Sequence, residues 1–227
     1  MKHFILALWL LIFCGSLLSI IGLDSCTPPK PKTGRIDLEL NPGVGIGVDA
    51  STLKSWMSGA ATGIGANYTY TLSPRFQIRG GISEQFYTTS RKVEHPYPYV
   101  MDMNVRLRTV STRLTAGGDW LLKPSPDGKL VYLGAALYAD AIHSAKAYTK
   151  LFYISQETRD TLNVKDSYAL PLPGIQLDLS LQGSVGRIGL RYWQDILSFT
   201  VPGVPMGRQR RSFVGIYGAL NIYNFKR

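Results

Sequence analysis

From Arg35 to Asp49 the chain alternates strictly between apolar and polar or small residues. Ile36, Leu38, Leu40, Pro42, Val44, Ile46 and Val48 interleave with Asp37, Glu39, Asn41, Gly43, Gly45, Gly47 and Asp49. Successive side chains point to opposite faces of a strand, so one face here is apolar and the other polar. Its apolar positions, Ile36 to Val48, span about 13 residues, more than the roughly 9–11 a tilted strand needs to cross a bilayer. The same period recurs down the chain. Ile64, Ala66, Tyr68, Tyr70 and Leu72 alternate with Gly63, Gly65, Asn67, Thr69 and Thr71 in a second segment, residues 56–72. A third begins after the Ser73-Pro74-Arg75 turn, with Phe76, Ile78, Ile82 and Phe86 opposite Gln77, Arg79, Ser83 and Gln85. A fourth ends at Leu122, with Leu114, Ala116 and Trp120 against Arg113, Thr115 and Asp119. The fifth sets Val131, Leu133, Ala135, Leu137 and Ala139 against Tyr132, Gly134, Tyr138 and Asp140. Two shorter segments come next, Ile175–Gln182 and Ile188–Asp195, and a last one spans Arg211–Phe225.

The connections alternate in length. Those after the second, fourth and sixth segments are tight, whereas Thr88–Met103, His143–Pro173 and Ser198–Gln209 are long. Eight alternating segments with this rhythm predict an all-β fold, an eight-stranded antiparallel up-and-down transmembrane β-barrel. A soluble barrel of the lipocalin kind is the competing reading, but strands of 12 or more residues are long for a soluble domain. Tyr70, Phe76, Trp120 and Phe225 near the tight turns, and Trp56 and Phe86 near the long connections, suit the two membrane–water interfaces.

Composition adjusts this picture at the ends. The 227 residues are 45% hydrophobic and 18% charged, which excludes a disordered chain. A mean hydropathy of +0.01 disfavours a bundle of spanning helices, each needing roughly 20 apolar residues, but not an alternating barrel. Phe4–Leu23 is the apolar exception, and Lys2 and His3 precede it. It predicts a secretory signal over residues 1–25, with an uncleaved membrane anchor as the alternative. Leu23-Asp24-Ser25-Cys26 resembles the lipobox of bacterial lipoproteins, which makes Cys26 a candidate acylation site. Asp24 departs from that motif, and lipidation stays open. Residues 26–34 read as a Pro/Lys-rich extended tether before a barrel over 35–227. Lys2 and Asp24 cancel, so the net charge of +10 belongs to the chain beyond the leader.

The Tyr68–Phe76 hairpin and the Tyr223-Asn224-Phe225 ending resemble the small porin-like outer-membrane β-barrels of Gram-negative bacteria, of the OmpA/OmpX type. The resemblance covers about residues 35–227, and Lys226 and Arg227 depart from it by coming after the final aromatic. It implies an outer-membrane location with the N-terminus in the periplasm and the long loops outside. It also implies delivery to the barrel-insertion machinery through the C-terminal strand. Of activity it implies almost nothing.

The polar face supplies the candidate chemistry. Asp37, Glu39, Arg79, Asp119 and Arg191 point inward toward the periplasmic end, with Arg113 and Asp178 nearer the middle. Buried charges need partners, so these predict one lumen ion network around Arg79, Arg113 and Arg191. With Asp49, Asp140 and Asp195 added, the inward set leans acidic and the positive excess falls to the rim. The network is expected to fill and fix the lumen, with ion gating as the alternative. After the leader the histidines are His95 and His143, and His143 beside Ser144 is badly placed as base and nucleophile. No catalytic, cofactor or metal site is expected. Arg106, Arg108, Lys146, Lys150, Arg208, Arg210 and Arg211 make the outer loops basic and are expected to meet lipopolysaccharide phosphates or an external partner. Nucleic acid is not an expected partner for cations scattered over exterior loops. The expected role is structural or adhesive, with a narrow gated channel as runner-up and a lipid-modifying enzyme a distant third.

Overall fold

The computed structural model describes residues 33–49, 56–93, 100–124, 130–153, 157–168, 170–200 and 208–225. The leader, Cys26 and most of the tether lie outside the described residues, as does His95.

Nine strands occur in chain order: β1 Gly34–Asp49, β2 Trp56–Ser73, β3 Phe76–Val93, β4 Val100–Pro124, β5 Leu130–Tyr153, β6 Glu157–Asn163, β7 Leu172–Gln182, β8 Gly186–Asp195 and β9 Gln209–Phe225. All neighbouring pairs are antiparallel, and β1 pairs with both β2 and β9. With β6 left aside, the other eight close a ring in sequence order, the β4–β5 ladder completing it. Among the described residues no helix is long and apolar enough to cross a membrane.

Alternation sets what each face presents. Leu38, Ile64, Ile82, Leu114, Leu133, Leu137, Leu177, Leu179 and Leu190 all point outward and are exposed. Leu137 is 65% exposed, whereas inward-facing Tyr138 beside it is 4% exposed. An apolar belt around a polar interior inverts the arrangement of a soluble domain, and no water-facing surface favours it. The barrel is therefore a transmembrane one. Trp120 packs on Phe76 at 5.9 Å near the tight-turn end, and Tyr223, Phe225 and Tyr68 form a second aromatic cluster across sequence-distant strands.

Two expectations about the connections change. Much of Thr88–Met103 is not loop, because β3 runs on to Val93 and β4 starts at Val100. Within His143–Pro173, β5 continues to Tyr153, and β6 returns along it before a 3-10 turn at Lys165–Ser167. In β4 and β5 these segments carry Arg106, Arg108 and Lys146 outward and Val105, Leu107, Ala145 and Ala147 inward, a pattern suited to sheet outside the lipid. β4 and β5 reach 25 and 24 residues, against 11 and 10 for β7 and β8. The upper halves of β3, β4 and β5, together with β6, form an extension standing above the apolar belt. One edge of β5 is shared: Leu130–Asp140 pair with β7, and Lys146–Phe152 pair with β6.

The extension has its own core. Met103, Val105, Leu107, Ile142, Ala145, Ala147, Val164, Tyr168, Leu172 and Phe199 pack together, with Tyr168 and Phe199 stacked at 4.2 Å. A bulge makes this possible on β5. Val110 pairs with Ser144 and Ser111 with Ile142, leaving His143 as the extra residue. Inward positions are even up to Ile142 and odd from Ala145 onward. A bulge of this kind re-aims every side chain beyond it.

Candidate functional site

The lumen is filled by side chains, as an eight-stranded barrel's interior requires. Arg79 bonds Asp178 and approaches Asp119 at 3.5 Å. Arg187 bonds Asp119 and donates to Gln77 and Gln182. Arg191 donates to Glu39, to Asn41 at 2.6 Å and to Asp178 at 2.6 Å. Arg35 closes the lower end on Asp37 at 2.9 Å. Each cation thereby has a carboxylate, and pairing is the condition for keeping charges out of water. Gln77, Gln182 and Asn41 take further guanidinium donors, although Arg35 Nη2, Arg187 Nε and Asp119 Oδ1 make no hydrogen bond among the described residues.

A second network lies above the first. Arg113 meets Asp140 through two bonds, of 2.7 and 2.9 Å. Arg211 bonds the same Asp140 at 2.7 Å and Asp195 at 2.8 Å, and Tyr138 donates to Asp195. Arg113 also lies against two rings, 3.6 Å from the Tyr138 centroid and 4.2 Å from Trp193. Trp193 stacks on Phe213 at 5.6 Å and touches Tyr87. This slab of rings and ions crosses the barrel, and the gap between the two networks measures only about 10 Å³.

The expected network thus divides in two. Asp178 joins Arg79 and Arg191 below, and Arg113 stands apart above. Arg211 is a correction: expected at the outer surface, it points inward on β9 and is 1% exposed. Its odd position matches Phe213 and Tyr217, and the charge of Asp140 and Asp195 holds it there. The acidic lean of the lumen is also corrected. Among the described side chains, Arg35, Arg187 and Arg211 join Arg79, Arg113 and Arg191, and together they balance Asp37, Glu39, Asp119, Asp140, Asp178 and Asp195, the side chain of Asp49 lying outside that set. Arg187 was legible, since it shares its parity with Arg191.

The outward face of the extension carries the remaining charge. Across β3, β4, β5 and β6, the pairing aligns Thr88, Arg108, Lys146 and Asn163 in one row. Ser90, Arg106, Tyr148 and Thr161 form the next, and Lys92, Asn104, Lys150 and Arg159 the third. A groove of about 630 Å³ lies on this face, lined by Arg106, Arg108, Tyr148, Lys150 and Arg159 among others. Arg108 rests 5.2 Å over the Tyr148 ring, and Lys150 lies 4.6 Å over Phe152. Glu157 accepts from Lys150 Nζ at 2.7 Å and Arg159 Nε at 2.8 Å, and the two cations hold its carboxyl below the usual range. Of the other expected contact residues, Arg208 is exposed beside a separate hollow, and Arg210 is half-buried.

A cluster of three outward polar side chains interrupts the apolar belt. Glu84 faces outward between Ile82 and Phe86, and its carboxylate accepts from Thr112, whose Oγ1 lies 2.6 Å from His143 Nε2. The carboxylate contacts the Thr hydroxyl and not the far side of the ring, unlike a nucleophile–base–orienter chain. No group of three or more His, Cys, Asp or Glu able to hold a metal occurs among the described residues.

The fold defines a small transmembrane β-barrel with a side-chain-filled lumen and a basic extension beyond the apolar belt. No protein-family model and no curated protein matches the chain. Solved structures of similar shape include Ail, the attachment invasion locus protein of Yersinia pestis, at 12% identity and TM-score 0.39, over 86% of this chain and 99% of that one. Neisserial surface protein A matches at 10% identity and TM-score 0.41, over 82% and 97% of the two chains. The outer membrane protease OmpT from Escherichia coli matches at 9% identity and TM-score 0.38, over 90% and 100%. At these identities and scores the likeness carries no inference about activity.

Proposed function

We propose that this barrel resides in the outer membrane of a Gram-negative cell, N-terminus in the periplasm, and uses its extension to bind lipopolysaccharide from outside. It serves as a structural or adhesive surface protein and not as an enzyme. The C-terminal strand, ending in Tyr223-Asn224-Phe225, is the segment the insertion machinery would take up. The observation that carries this reading is the position of the unpaired charge. Arg106, Arg108 and Lys146 have no carboxylate within 4.0 Å among the described residues, and they lie just above outward-facing Phe86. Lys and Arg at that height meet headgroup phosphates rather than acyl chains.

Binding of purified lipopolysaccharide to the detergent-solubilised chain tests this. Replacing Arg106, Arg108 and Lys146 together by Gln is expected to weaken binding by about tenfold or more. Equal binding by the wild type and the triple variant would defeat the reading. The packed slab around Arg113 and Trp193 favours a closed lumen over a channel. Planar-bilayer recordings should therefore stay silent. Steady ohmic steps that vanish when Arg113 is neutralised would establish the channel instead.

A further inference from the structure

The cations of the extension are not spread evenly. Arg108 and Lys146 are direct cross-strand neighbours, and so are Lys150 and Arg159. Like charges placed opposite one another on a sheet repel, so each pair calls for an anion between its members. The upper pair has one: the Glu157 carboxylate bridges Lys150 and Arg159. The lower pair has none among the described residues. Lys146 and Lys150 stand four residues apart on one face of β5, roughly 13 Å along the strand. Between them lie Arg106 and the ring of Tyr148.

We infer that this face is a two-pronged anion site for a bisphosphorylated glycolipid headgroup of the outer leaflet, with Glu157 standing in for the second phosphate until the ligand displaces it. The inference rests on the lipopolysaccharide reading above. Such a headgroup carries its phosphates at opposite ends of a disaccharide, which suits two separated cation pairs with a ring and a guanidinium between. Proximity favours the lipid over a soluble polyanion. The lower pair lies one cross-strand row above the row of Phe86 and Val110, and that row is the upper edge of the apolar belt. Glu157 is exposed and its carboxylate is held by the two surface cations, so its displacement breaks no buried contact.

Nanodiscs containing bisphosphorylated or monophosphorylated lipid A, titrated against the full barrel, provide the test. The wild type is expected to prefer the bisphosphorylated form by about tenfold. Glu157→Gln should tighten binding of the bisphosphorylated form by about two- to fivefold and leave the monophosphorylated form unchanged. Lys150→Gln combined with Arg159→Gln should abolish the preference while retaining monophosphorylated binding. Heat-modifiable gel mobility verifies that each variant is folded. Equal affinity of wild type and Glu157→Gln for both lipids would overturn the inference while leaving lipopolysaccharide binding standing. Loss of all lipid A binding in the wild type would instead remove the underlying reading. Tripolyphosphate that binds in lipid-free detergent as tightly as the bisphosphorylated lipid would overturn the choice of a glycolipid.

Discussion

The belt and the extension share strands β3, β4 and β5 but solve opposite problems. Within the belt, Leu114, Leu133 and Leu137 face out while Arg113, Asp119 and Asp140 face in. Above it, Arg106, Arg108 and Lys146 face out while Val105, Leu107 and Ala147 face in. The difference shows that strand pairing is indifferent to solvent, and that side-chain polarity adapts the same ladder to lipid or to water. Charge divides in the same way. In the lumen each named cation is matched to a carboxylate. On the extension Arg106, Arg108 and Lys146 are left exposed with no carboxylate partner among the described residues.

Disturbing either half in its own terms sharpens this contrast. The largest effect is expected in the upper lumen network. Asp140→Ala leaves Arg113 and Arg211 without a shared carboxylate and should cost about 3–5 kcal/mol, read from urea unfolding in micelles. Next is Leu137→Arg on the lipid face, expected to cost about 2–4 kcal/mol if the site lies near the bilayer midplane. A cost near zero there would contradict the position of the belt. Ile142→Val trims the extension's core and should cost about 0.5–1.5 kcal/mol. Hydrogen exchange should then rise in residues 103–107 and 145–151 before it rises in the lower ladder. The smallest effect is expected from Lys146→Gln, within about 0.5 kcal/mol, because the side chain is exposed and has no carboxylate partner among the described residues.

The barrel was legible because a period of two is written directly into Ile36–Val48, Leu133–Ala139 and Ile175–Leu181. The tight turns were equally readable, since Ser73-Pro74-Arg75 and Gly183–Gly186 break the pattern with turn-forming residues. The extension was not. Its strands carry mixed outward residues such as Ser90, Asn104 and Tyr148, which look like loop composition until their partners are known. Arg211 was misplaced for a related reason: it sits at a loop–strand boundary, where parity cannot be counted from one side. Its partners, Asp140 and Asp195, belong to other strands. Arg113 and Asp178 were read inward, but which network each joins depends on strand stagger, and stagger is a property of the closed ring.

The bulge at His143 shows how little sequence is needed to turn a surface over. Along β5 the small or apolar odd positions run almost unbroken from Val131 to Leu151, His143 being the one polar interruption before Thr149. In a uniform strand the same residues would send Lys146 and Lys150 into the barrel and Ala145 and Ala147 toward solvent. The unpaired residue acts as a half-period phase shift, converting a lipid-facing register into a water-facing one within a single continuous strand. A chain that paired His143 as an ordinary strand residue would keep its whole composition and yet display its cations to its own interior, whereas deleting His143 would leave a regular ladder with Lys146 and Lys150 still facing out. Such a phase marker offers a route by which a membrane barrel can grow an aqueous crown without acquiring a new domain.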